Sequence, residues 1–142
     1  MKMKMIDKIL KDYFENTISS DSLSEKLNDC TKKQSYDTSQ TTASEMESDT
    51  LFEIEAQHIN FILTETLEGK LTFEDLNKIA SGLMFSDFFN WDSETEIGER
   101  IAQIIFELEN PEICFPITNR NLIGWKAYLE TGNHRLKKSK TL

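Results

Sequence analysis

Glu55 and His58 stand in the E-x-x-H spacing that di-iron bundles use twice, once on each of two helices, and the second copy is missing from this chain. A lone copy reads His58 as a partly buried polar side chain. The other histidine, His134, lies in a basic C-terminal stretch, and with Cys30 and Cys114 the two imidazoles match no zinc spacing. Asp87, Asn90, Asp92, Glu94 and Glu96 imitate a calcium loop, but the glycine that should follow the third ligand is absent and the ligand intervals are wrong. There is no Gly-rich phosphate loop, no G-x-S-x-G elbow and no cysteine paired with a histidine in local context. The reading is therefore a non-enzyme with no catalytic residues, no metal and no cofactor.

Charge carries more information. The 142 residues hold 25 acids and 16 bases, a formal charge of -9, so phosphate backbones would be repelled and direct binding of nucleic acid is not expected. The acids are also concentrated. Between Glu45 and Glu112 there are 17 acids against Lys70, Lys78 and Arg100 alone, a net of -14, whereas residues 113 to 142 are net +5. Such a field costs stability through self-repulsion unless solvent or a partner screens it. Solubility is the plain explanation for any single acid. A docking face is the sharper one, and it centres on the segment from Phe85 to Glu99, where Phe88, Phe89 and Trp91 alternate with Asp87, Asp92, Glu94, Glu96 and Glu99. Large rings set among charges complementary to a partner are the make-up of interface hot spots. These eight residues are the candidate partner-binding site, with about one of the three rings expected to be exposed and the others packed beneath.

The elements that must present this segment read as helices. Met5, Ile6, Ile9, Leu10, Tyr13 and Phe14 recur at helical spacing and predict a helix over residues 3 to 15. Ser22 and Glu25 have capping-box spacing for a second helix of three turns at most. Leu51 to Glu68 carries the longest stripe, stopped by Gly69, and Thr72 with Asp75 marks the start of the next helix at Phe73, with Leu71 placed to staple onto Leu76. Phe73, Leu76, Ile79, Ala80, Leu83 and Met84 form its inward face, weakened by Gly82 by about 1 kcal/mol relative to alanine. Ser93 and Glu96 open a fifth helix with Ile97, Ile101, Ile104, Ile105 and Leu108 inward, ended by Pro111. Thr118 opens a last one, and Gly132 closes it.

No alternating strand pattern and no internal repeat interrupts this series. The expected fold is all-α, a single bundle of five to six helices over residues 1 to 132, followed by a basic tail over residues 133 to 142. Residues 31 to 50 offer only Tyr36, Ala43 and Met46 for burial and read as a mobile polar loop. The longest uncharged run, Ala56 to Thr64, is far short of the ~20 apolar residues that span a bilayer, and the N-terminus lacks the apolar core of a secretion signal. With two distant cysteines, the expectation is a cytoplasmic protein with reduced thiols and no membrane partner.

The N-terminal helix, the turn Ser19-Ser-Asp-Ser-Leu-Ser-Glu25 and the acidic-aromatic run Ser86-Asp-Phe-Phe-Asn-Trp-Asp92 together resemble a bacterial immunity protein of the colicin or contact-dependent growth inhibition kind. The resemblance covers about a fifth of the chain. It implies a cytoplasmic inhibitor that binds a cognate toxin domain, commonly a basic nuclease, and occludes its active or substrate-binding site through the residues from Asp87 to Glu99. The length, the polar loop and the basic tail depart from the compact colicin inhibitors. Electrostatics points the same way, since a nuclease presents a basic cleft that an acidic protein both reaches quickly and covers. An acidic DNA mimic or regulatory protein occupying the nucleic-acid site of a host enzyme is the alternative, and a helical adaptor acting through its basic tail is a third.

Overall fold

A computed structural model describes the backbone of residues 2–3, 5–36, 46–47 and 51–136, and the side chains of residues 6–29 and 51–136. The fold is all-α. Six helices follow one another as α1 (Met5–Phe14), α2 (Ser20–Tyr36), α3 (Ala56–Leu67), α4 (Phe73–Met84), α5 (Glu96–Glu109) and α6 (Asn119–Thr131).

Several helix starts are fixed by the side chains that the sequence singles out. Thr72 accepts a hydrogen bond from the Asp75 N–H at 2.9 Å while Asp75 accepts from the Thr72 N–H at 3.1 Å, a reciprocal box that satisfies two otherwise orphaned donors at the head of α4. Leu71 and Leu76 on either side of it are both buried. Thr118 caps α6 through the Asn121 N–H at 3.1 Å, and Gly132 ends it in the left-handed conformation.

Four boundaries differ from the sequence reading. α2 begins one turn earlier, because Ser19 rather than Ser22 caps it: Ser19 Oγ accepts from the Ser22 N–H at 3.2 Å. It also runs on to Tyr36, so residues 31 to 36 of the expected loop are helical. Lengthening an existing helix needs no apolar face, and Lys32, Lys33 and Gln34 are good helix formers. The remaining loop positions, 37 to 45 and 48 to 50, lie outside the described residues, as do residues 137 to 142 of the tail. α3 begins at Ala56 rather than Leu51, and α5 is capped by Thr95 rather than Ser93, the Thr95 Oγ accepting from the Gly98 N–H at 2.9 Å.

The expectation that strands are absent is also corrected. β1 (Lys2–Met3) pairs antiparallel with β2 (Met46–Glu47), and β3 (Phe52–Glu53) pairs parallel with β4 (Phe89–Asn90), each in a two-stranded ladder too short to carry an alternating pattern. The second ladder explains the late start of α3. The Phe52 and Ile54 N–H groups donate to the Phe88 and Asn90 carbonyls at 3.0 and 2.8 Å, so tertiary pairing overrides the helical stripe into which Phe52 falls when the sequence is read alone.

One apolar core runs through the bundle, with Leu10 and Tyr13 of α1, Leu23 and Leu27 of α2, Ile59, Ile62 and Leu63 of α3, Leu76 and Ile79 of α4, Ile104 and Ile105 of α5, and Leu122 and Trp125 of α6. Gly82 has its use here. A Cβ at that position would lie 2.9 Å from Leu10 Cδ1 and 3.2 Å from Ile6 Cγ1, so its absence lets α1 settle onto α4. Polar links join the same elements. Tyr13 donates to Ser20 Oγ at 2.8 Å and Ser20 donates to Glu65 at 2.6 Å, tying α1, α2 and α3 together, and burial drives the Tyr13 phenol up to about 12.

Past α6 the chain turns back instead of leaving the domain. His134 Nε2 meets both carboxylate oxygens of Glu107 at 2.9 and 3.0 Å, its ring packs on Phe115 and Tyr128, and Leu136 lies against Gly124. Residues 133 to 136, expected in a disordered tail, thus form a strap across α5 and α6. Glu107 is 2% exposed and also accepts from Trp125 Nε1 at 2.9 Å and from Gln103. These donors let a carboxylate remain in the core.

Candidate interaction surface

The segment from Phe85 to Glu99 joins α4 to α5, and it is held at both ends. Ser86 donates to Asp7 of α1 at 2.8 Å while accepting from the Phe88 N–H at 2.9 Å. At the other end the Asp92 carbonyl accepts from Thr95 Oγ at 2.8 Å, and its Oδ1 accepts from the Glu94 N–H at 3.1 Å. Gly98 is required for this closure. A Cβ there would fall 1.6 Å from the Asp92 carbonyl oxygen, so the backbone of the connection seats directly on the first turn of α5.

Between these anchors the segment divides sharply. Phe88 is 2% exposed and Phe89 4%, so neither is available to a partner, and their place in the candidate site is corrected. The ladder with β3 turns both rings inward, where Phe89 meets Phe14, Phe52 and Phe88 with centroids 5.0 to 6.1 Å apart and edge-to-face tilts of 69° to 80°. This aromatic cluster is core energy. Trp91 is half-buried against the core. The acids behave differently: Asp87, Asp92, Glu94, Glu96 and Glu99 are all exposed. Among the described residues, the cation that pairs with one of them is Arg100, 3.9 Å from Glu96, and Arg100 itself donates to the Leu129 carbonyl at 3.2 Å. Glu96 and Glu99 also sit in the first turn of α5, where the helix dipole favours negative charge, so the face is compatible with the helix that carries it.

Exposed apolar side chains accompany the acids, and two of them are not the expected rings. Phe85, at the end of α4, is 67% exposed, and Ile97, assigned by its spacing to the inward stripe of α5, is 39% exposed. Phe73, assigned to the inward face of α4, is also exposed. A signal for Phe85 does exist in the sequence, since it falls off the 76, 79, 83 stripe of its helix. Ile97 carries none; the backbone closure at Gly98 displaces the helix start and lifts it outward.

Ile97 borders an open groove of about 410 Å³ between the residues 53–57 and 92–101. Ile54, Ala56, Gly98 and Ile101 line it together with Ile97, and Glu53, Glu55 and Asp92 supply carboxylates. The parallel ladder creates it, by drawing the approach to α3 alongside the approach to α5.

His58, the other chemical candidate, is explained by its helix. Its Nδ1 accepts from the Glu55 N–H at 2.9 Å, so the E-x-x-H pair is the cap of α3 with histidine in the usual place of glutamate or glutamine. Its ring lies against Phe14 and Phe52, and burial holds the imidazole below its ordinary value. Among the described residues no group of three metal-ligating side chains gathers and no helix is long and apolar enough to cross a membrane. The chain matches no protein-family model, no curated protein and no solved structure.

Proposed function

We propose that this protein is an immunity protein, a binding protein without catalysis of its own that neutralises a cognate basic toxin domain of the nuclease class by covering its active or substrate-binding site. The observation that carries this reading is the run of five exposed carboxylates from Asp87 to Glu99, pinned in place by Asp7, Ser86, Thr95 and Gly98. An acid face spread on a mobile loop would pay ordering entropy on binding; one fixed against α1 and α5 would not. Its charge is opposite to that of a phosphate-binding cleft, and Phe85, Ile97 and the half-buried Trp91 supply apolar contact beside it. The cytoplasm is the compartment this role requires.

The test is direct. Expressed with the toxin domain encoded beside its gene, the protein should co-purify with it and restore growth. The association rate should fall steeply as salt rises, because steering acts over a Debye length of about 8 Å at physiological ionic strength. Asp87→Lys and Glu94→Lys should each slow association. Asp92 is a poorer choice for reversal, since it also holds the turn before α5. Association that ignores both salt and these reversals would refute the reading.

A further inference from the structure

The groove beside Ile97 differs from the general acid surface in being concave and in setting apolar side chains beside its carboxylates. Ile54 and Ile101 are buried, Ile97 is part-exposed, and Ala56 and Gly98 add no bulk between them. The lining also carries Glu53, Glu55 and Asp92, with no lysine, arginine or histidine among its residues. An anionic occupant would meet three carboxylates, and a purely apolar one would strand their hydration. The complementary shape is a long aliphatic stem ending in a cation.

We infer that this groove is the specificity pocket of the acid face and takes an arginine side chain from the protein partner. The inference rests on the proposed docking role and adds to it the chemistry of one contact. Arginine fits better than lysine on physical grounds. Its methylenes can lie on Ile97, the exposed isoleucine of the groove, while the guanidinium, more weakly hydrated than an ammonium and planar, can bridge two carboxylates at once. A pocket of about 410 Å³ falls within the range of built ligand sites, large enough for such a side chain and part of its neighbour. The geometry is also prepaid: both sides of the groove are fixed, one by the ladder from Phe52 to Asn90 and the other by the Gly98 closure onto Asp92. Nothing need move for the side chain to enter.

The experiment uses the whole chain, isotopically labelled, titrated with a short peptide of alternating arginine and glycine and with its lysine counterpart. The expected result is saturable movement of the Ile97 methyl, Gly98 amide and Gln57 side-chain amide signals, several-fold tighter for arginine than for lysine. Ile97→Lys places a rival cation in the groove at a part-exposed position and should weaken the arginine peptide by about tenfold. Ala127→Lys, on the exposed side of α6, makes the same change in net charge away from the groove and should weaken it less than twofold. Equal loss in the two variants, or shifts that spread over all the acids without singling out Ile97 and Gly98, would overturn the pocket and leave the acid-face reading to be judged by its own salt dependence. Equal affinity for the lysine peptide at Ile97 would overturn the arginine assignment. If the charge reversals at Asp87 and Glu94 leave toxin association untouched while the peptide still occupies the groove, the docking role fails and the pocket's preference stands.

Discussion

Protonation of His58 competes with its work as an acceptor for the Glu55 N–H, and burial already opposes the charged ring. The folded-state value is therefore below the ordinary one near 6.5, so the unfolded chain binds this proton more readily. The contribution to stability is complete above that ordinary value and is lost as pH falls through it toward the folded value. His58→Gln keeps an acceptor at the same capping position and cannot titrate. Urea midpoints of the two proteins should lie close together at pH 7.5 and separate at pH 5.5, with the wild type the weaker; parallel profiles would show that His58 does not sense pH. Residues of this sort expose the limit of reading a sequence alone. The E-x-x-H spacing was visible, but the ring's surroundings were not, since Phe14, which packs on it beside the nearby Phe52, comes from a distant helix. Phe88 and Phe89 show the same limit from the other side: between charged neighbours they look like interface, and only the ladder with Phe52 makes them core.

At the scale of elements, the legible parts were those with local causes. The Thr72–Asp75 box, the Thr118 cap and the Gly132 stop act within one turn, and each appears at the expected residue. The parallel ladder and the strap over α5 and α6 were not legible, because their partners are far apart in the chain. Glu107 illustrates this, since it interrupts an isoleucine and leucine stripe with no nearby cation, while its donors Trp125 and His134 come from beyond the helix. Glu107→Ala should cost about 3 kcal/mol in chemical denaturation, because it leaves the buried Trp125 N–H without an acceptor and opens a void. His134→Ala should cost nearer to 1 kcal/mol, since that ring is still partly in contact with water and removes a donor rather than stranding one. Equal costs would mean that the strap, rather than the Trp125 bond, is what Glu107 secures.

For the whole molecule, the decisive property is that negative charge is grouped while positive charge sits at the chain ends. This distribution could be counted from the sequence, and so could the helical class; the groove that gives the charge a shape could not. The strap also separates two parts of the C-terminus that composition merges. His134 belongs to the packed domain, whereas Lys137, Lys138 and Lys140 follow it. Ending the chain after Leu136 removes three positive charges and leaves the Glu107 contact intact. Thermal unfolding should be unchanged, and association with a basic partner should be unchanged or modestly faster. A loss of binding would place recognition in the lysines and favour the adaptor reading over the acid face.

The pairing of Phe52 with Phe89 encloses α3 and α4 within one loop of the chain. Closing that loop costs entropy that only the later contacts repay, so the groove cannot form while a ribosome still holds residues beyond α4 inside its tunnel. The proposed docking surface is then a late product of synthesis, assembled only after the start of α5 has left the tunnel and not with the first helices to emerge.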